Sequence, residues 1–186
     1  MSRRRVPKPA LLVVSAIYRL EERFGEAAGR MAAVWGDPAR ISEPFPFDRT
    51  EYYAREMGGP LWRRFFVSGR FVPRDSLPAL KIAAERIEQE CSEGERRTVN
   101  LDPGLLTEEN FVLATGKNYS HRIYLGEGVF ADLTLLFRGG EYRALPWTYP
   151  DYASGEIRSF LGEIREGLRR REPAPERSRQ RGDDVA

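Results

Sequence analysis

Along the first third of the chain, apolar positions fall in two rhythms. Ala10, Leu11, Leu12, Val13, Val14, Ser15, Ala16 and Ile17 run together with no polar alternation. An unbroken run of this kind, rich in β-branched residues, predicts a strand covered on both faces. Leu20, Phe24, Ala27, Ala28, Met31 and Trp35 then recur at helical spacing, and Gly36 stands where a left-handed C-cap would end the helix. Residues 41–47 contain Pro44 and Pro46, which cannot donate to a ladder, so this stretch reads as an edge strand or ordered loop. Asp48 and Thr50 are placed to cap a short helix through Glu56, closed by Gly58-Gly59, and Leu61 to Val72 returns to strand composition.

In the second half, Ser76 with Pro78 signals a helix start, and Leu80, Ala84, Ile87 and Cys91 form its apolar stripe. Residues 98–101 predict a short strand stopped by Asp102-Pro103-Gly104, a turn by its local chemistry. Thr107 with Glu108 and Glu109 predicts a helix to about Gly116. Residues 121–125 and 129–137 flank Gly126-Glu127-Gly128 as a hairpin. Pairing Leu125 with Val129 there sets Ile123 against Ala131 and Arg122 against Asp132. Gly139-Gly140 leads to a last short strand. Ile157, Phe160, Leu161, Ile164 and Leu168 then mark a terminal helix before Pro173 and Pro175. The order predicts an α+β fold: a ferredoxin-like split βαβ mixed sheet, helices on one face, with a C-terminal hairpin and helix extension. A Rossmann-like α/β sheet is the alternative.

The length of 186 residues suits one domain, expected over residues 8–171 between disordered tails at 1–7 and 172–186. Cys91 is the sole cysteine, so neither an intramolecular disulfide nor a four-cysteine zinc site can form, which points to a reducing, cytoplasmic setting. The longest apolar run, of about eight residues, falls short of the ~20 that a membrane helix needs, so no membrane partner is expected. The net charge of +2 is unevenly spread: residues 1–8 carry +4 and residues 169–186 carry +2, leaving −4 for the body. Nucleic-acid contact is therefore expected at most through the tails.

The densest group of chemically useful residues is Arg97, Asn100 and Asp102, followed by Lys117, His121 and Arg122. A histidine near neutrality and a carboxylate can exchange protons, which makes His121 and Asp102 the candidate catalytic pair. Arg97, Asn100, Lys117 and Arg122 could hold an anion, since guanidinium and ammonium groups suit carboxylate and phosphate. Trp147 and Tyr149 could stack a flat ligand, or the segment could be a core plug that docks the terminal helix. Against this stands a structural account, in which Arg122 pairs with Asp132 across the hairpin, Arg97 pairs with a helix carboxylate, and no pocket forms. One histidine and dispersed carboxylates give no metal-ligand spacing, and no cofactor is indicated.

The strings SEPFPFD at 42–48, EMGGPL at 56–61, VNLDPG at 99–104, HRIYLG at 121–126 and LPWTYPDY at 145–152 together resemble a bacterial domain-of-unknown-function family, number 4416. The resemblance spans roughly residues 8–170 and implies a family without an established activity, some members of which carry a GTP-binding label. A P-loop needs Gly-x-x-x-x-Gly-Lys-Ser/Thr, and no such string occurs here. Gly116-Lys117 lacks both the spaced first glycine and the following hydroxyl. Three readings stay open: a site that binds or acts on a phosphorylated or carboxylated small molecule, a noncatalytic protein- or RNA-interaction module, and nucleotide binding without a P-loop.

Overall fold

The computed structural model describes residues 3–48 and 53–170. The expected cap at Thr50 and the tail from residue 172 lie outside them. Residues 3–9 are irregular and exposed. β1 (Ala10–Tyr18) is buried at every position, as its unbroken apolar run requires, and sits in the middle of a nine-stranded sheet. It is followed by α1 (Glu21–Trp35), the edge pieces β2 (Pro38–Ile41) and β3 (Phe45–Pro46), and the single turn α2 (Ala54–Met57). Next come β4 (Trp62–Val72), α3 (Leu77–Glu90), β5 (Val99–Leu106) and β6 (Asn110–Thr115). β7 (Arg122–Gly126), β8 (Val129–Arg138), β9 (Glu141–Ala144) and α4 (Gly155–Arg170) complete the chain.

The sheet order is β2-β4-β1-β5-β6-β8-β7, with β3 on β4 and β9 on β8. The class is α+β. In its first half, β1 lies between β4 and β5, α1 joins β1 to β2, and α3 joins β4 to β5, so two strand-helix-strand units interleave. Every pairing is antiparallel, which corrects the expectation of a mixed sheet and excludes the parallel Rossmann-like alternative.

The helices also occupy both faces rather than one. Leu12, Val14, Ala16 and Tyr18 pack with Phe24, Ala27 and Met31 of α1 and Leu80, Ala84 and Ile87 of α3. The alternate residues Leu11 and Val13, with Phe65 and Val67 of β4, pack with Ile157, Phe160, Leu161 and Ile164 of α4. Those four α4 side chains, fully buried, are worth roughly 6–12 kcal/mol of transfer free energy before entropy. The terminal helix is thus part of the core.

Two further expectations are corrected. Asp102-Pro103-Gly104 is the interior of β5, paired residue for residue with β1 (Ser15↔Asp102, Val14↔Pro103, Val13↔Gly104). The stretch expected to be helical from Thr107 is a tight turn into β6. There the Thr107 hydroxyl accepts the N–H groups of Glu109 and Asn110, and Phe111 and Leu113 pack into the α4-side core. The β7–β8 hairpin pairs Arg122 with Asp132 and Ile123 with Ala131, as the sequence register had it. A bulge between Tyr124 and Gly126 sets Gly126, not Leu125, opposite Val129.

Candidate functional site

β5 and β6 part company halfway along. They pair only from Gly104–Leu106 against Phe111–Leu113, while β5 continues along β1 to Val99 and β6 continues along β8 to Thr115. Proline supplies the reason. Leu101 turns its N–H and C=O away from β1, toward the place a neighbouring strand would occupy, so by the two-residue alternation Pro103 faces the same way. Pro103 has no N–H to give, and the ladder stops beside it.

α3 fills the vacancy with side chains. The Leu101 N–H donates to Glu88 Oε1 at 2.5 Å, and Lys81 Nζ donates to the Leu101 carbonyl at 3.2 Å. Both side chains are buried, as an unpaired strand edge inside a protein demands of its substitutes.

The resulting fissure opens into a cavity of about 850 Å³. Its walls come from Ile17, Arg63, Asn100 and Asp102 on the sheet, Tyr53 and Glu56 at α2, and Lys81, Glu85 and Glu88 on α3. Residues 113–117 at the end of β6, Asp132 on β8, and Tyr149 to Tyr152 before α4 close it. A chain of polar contacts lines one wall. Arg97 Nη1 donates to Asn100 Oδ1 at 2.7 Å, and Asn100 Nδ2 donates to Asp102 Oδ2 at 2.7 Å. Lys81 Nζ stands 3.6 Å from Asp102 Oδ1. Arg97 also meets Glu56 at 3.4 Å and Glu88 at 4.0 Å.

Across the cavity, the guanidinium of Arg63 lies between the rings of Phe47 and Tyr152, 5.0 and 4.4 Å from their centroids. Its Nη2 contacts Asp151 Oδ2 at 2.6 Å. Nε and Nη1 are buried with no hydrogen-bond partner among the described residues, and the side chain is only 4% exposed.

Burial, the largest influence, raises the Glu88 carboxyl above its ordinary value, with Asp102 adding to it; Lys81, the Leu101 N–H and Arg97 pull it back in part. Burial likewise pushes the Tyr53 and Tyr152 hydroxyls far above the ordinary tyrosine value, so both stay protonated. Asp102 is held from two sides and faces the cavity with a quarter of its side chain exposed. The cavity wall therefore presents an oriented Asp102 side chain near the buried Glu88 carboxyl, which holds its proton more tightly than usual.

Of the residues singled out in the sequence, Arg97, Asn100, Asp102, Lys117 and Tyr149 line this cavity. His121, Arg122 and Trp147 do not. Arg122 is one layer behind: Nε donates to Asp132 at 2.9 Å, Nη1 to the Lys117 carbonyl at 2.8 Å and Nη2 to the Tyr149 hydroxyl at 2.7 Å. It braces three cavity residues and has little left for a ligand. His121 stacks on Trp147, ring centroids 5.0 Å apart, with Nε2 3.4 Å from Asp132 Oδ2. Trp147 itself is exposed and donates Nε1–H to the Leu133 carbonyl at 2.9 Å, whereas Tyr152 of the same segment is buried in the core. The segment is thus half plug and half surface. The four cations do not converge as one cluster.

Lys81, Glu88, Arg63 and Asp151 escaped the sequence reading. Arg63 did leave a signal, because it shares the alternation phase of Phe65 and Val67, where a charge has no ordinary place. Lys81 and Glu88, seven residues apart, flank the apolar stripe of α3 in the same way.

A family model matches residues 8–167 of the chain, under the description domain of unknown function (DUF4416). No curated protein and no solved structure matches it.

Proposed function

The chain belongs to the DUF4416 family, whose description assigns no activity, and from its cavity we propose that it binds and acts on a small molecule bearing a carboxylate or phosphate. Arg63 anchors the anion, and Asp102 exchanges a proton with the bound molecule. The observation that supports this is the unfinished hydrogen bonding of Arg63. Carboxylates outnumber cations around the cavity, but Lys81 and Arg97 are already engaged by Asp102, Glu88 and Glu56. Among the described residues, Arg63 alone combines burial with two nitrogens that lack partners. A buried donor without an acceptor costs roughly 1–3 kcal/mol, and an anionic oxygen reaching it recovers that cost. Guanidinium is also the group best suited to carboxylate and phosphate oxygens.

The test is thermal melting and calorimetry of the full chain with sodium phosphate, succinate and GTP, each with and without magnesium. A ligand at a hundred times its dissociation constant stabilises the folded state by about 2.7 kcal/mol. Phosphate or succinate should raise the melting temperature of the wild type, and Arg63→Met should abolish the rise. Arg97→Gln, at a half-exposed position, should weaken it several-fold without unfolding the protein, and keeps the test open if Arg63→Met does not fold. No response to any anion would overturn the proposal. A response confined to GTP would replace it with nucleotide binding that uses no P-loop.

A further inference from the structure

The two ends of the sheet are finished differently. At one end β2 is four residues long, carries Pro38 and Arg40, and is tied down where Arg40 Nη1 meets Glu163 of α4 at 2.9 Å. Short length, proline and charge are the ordinary protections of a strand edge. At the other end, beyond β8, lie β7 and β9. β9 is guarded by Glu141 and Arg143. β7 is also short and bulged, but it carries no proline and its one charge, Arg122, is turned onto Asp132; its outer edge pairs with nothing among the described residues, and Ile123, Tyr124 and Leu125 follow one another along it, all exposed.

Ile123 and Leu125 share one face of the strand and Tyr124 the other, and Tyr119, Trp147 and Tyr149 are exposed nearby, around His121 and Arg122. These six apolar and aromatic residues, 38% to 69% exposed, make up most of the large exposed apolar side chains of the described chain. Arg122 spends its N–H on the Tyr119 carbonyl at 3.0 Å rather than on β8. By alternation along the strand, Tyr124 turns its own N–H and C=O to the open side.

We propose that two copies of this chain pair through β7, antiparallel about a two-fold axis, so that the sheet of one continues into the other. Three observations favour a second copy over another occupant. A two-fold contact sets each patch against itself, so any charge on it would meet its own kind. Residues 123–125 carry none, Arg122 before them is turned inward onto Asp132 with its side chain 7% exposed, and the exposed Glu127 lies beyond the strand in the hairpin loop. The area also fits. Large side chains of this kind carry about 150–250 Å² each, so their exposed fractions amount to roughly 600 Å² per copy, most of the ~800 Å² per partner of a standard stable interface. Finally, the edge offers an unpaired backbone ladder flanked by apolar side chains, and antiparallel pairing satisfies both at once.

Sedimentation equilibrium or light scattering of the full chain from about 1 to 100 µM gives the test. The wild type should move from 21.3 kDa toward twice that mass as concentration rises. Tyr124→Lys and Ile123→Lys, both at exposed positions, should hold it monomeric with an unchanged circular dichroism spectrum. Val34→Lys, on exposed α1 surface, should leave the association intact. Hydrogen exchange should show the Tyr124 amide protected in the wild-type dimer and unprotected in Ile123→Lys. A wild type that stays monomeric throughout, or a Tyr124→Lys protein that still dimerises, would overturn the proposal. A monomer whose Tyr124 amide is protected would assign the edge to another segment of the same chain. A monomer that binds single-stranded RNA with a steep salt dependence would assign the aromatic patch to nucleic acid.

Discussion

Replacing Glu88 separates two things this side chain does: it supplies an acceptor to a strand edge, and it keeps an ionisable carboxyl in a poorly solvated place. In Glu88→Ala the Leu101 N–H, buried and bonded to Oε1 at 2.5 Å, loses its only partner. Lys81, itself buried, loses a neighbouring carboxylate. Hydrogen bonds to charged groups contribute about 1.5–3 kcal/mol, and an orphaned buried donor costs a similar amount, so the expected loss is about 3 kcal/mol. At roughly 2–4 °C per kcal/mol for a chain of this size, melting should fall by about 6–12 °C. Glu88→Gln keeps an oxygen for Leu101 and removes the charge, and should stay within about 1 kcal/mol of the wild type at pH 7.

The pH dependence has a definite sign. The folded protein raises the Glu88 carboxyl above its ordinary 4.5, chiefly through burial. The native state therefore binds this proton more tightly than the unfolded chain does. The stability it contributes is full below 4.5 and is lost as pH climbs through the raised value. Urea denaturation of wild type and Glu88→Gln between pH 4 and 8 measures this directly. The stability of the Gln variant relative to wild type should increase with pH from about 4.5 upward and then level off. Equal losses in Gln and Ala, or a relative stability that decreases with pH, would refute the reasoning.

Three further outcomes are expected. A Cβ on Gly104 would stand 2.6 Å from two ring carbons of Phe111 and 3.0 Å from Leu113. Since these neighbours are buried core, Gly104→Ala should cost about 1–3 kcal/mol in chemical denaturation. Leu161→Ala empties a fully buried position between α4 and the sheet and should cost about 2–5 kcal/mol by the same measurement. Tyr142→Phe removes a hydroxyl that donates to the Thr107 carbonyl at 2.6 Å; melting should show a loss of about 1–2 kcal/mol from the unpaired buried carbonyl.

What could be read from the sequence was whatever its own neighbourhood determines. The stripes of α1, α3 and α4 and the unbroken run of β1 each repeat within one element, so period alone reveals them. Asp102-Pro103-Gly104 misleads because its turn chemistry is local, while its strand conformation is set by β1, whose Val13, Val14 and Ser15 lie some ninety residues away. Proline is tolerated there because its missing N–H faces the fissure rather than β1. Gly104 is needed because the Phe111 ring lies where a side chain would be. Thr107-Glu108-Glu109 misleads in the same way, since a threonine that closes a turn looks like one that caps a helix. The cavity joins α2, α3, β4, β5, β6 and the segment before α4, and no single window of sequence holds it.

The charges around the fissure are not of one kind. A strand edge left open by Pro103 must find donors and acceptors from somewhere, and α3 supplies them as Lys81 and Glu88, so these two would be required even of a protein that bound nothing. Arg122 is in the same position, since all three of its nitrogens are engaged in bracing the hairpin and Tyr149. The presence of these charges in or behind the cavity wall is therefore weak evidence of chemistry. Arg63 and Asp102 differ. Arg63 has two buried nitrogens with no partner among the described residues, in a wall whose backbone pairing with β1 is complete without them. Asp102 is oriented by Asn100 and Lys81 but is not enclosed by them. Hydrogen-bonding capacity that the fold leaves unused is what a ligand can use, which is why the proposed function rests on Arg63 and Asp102.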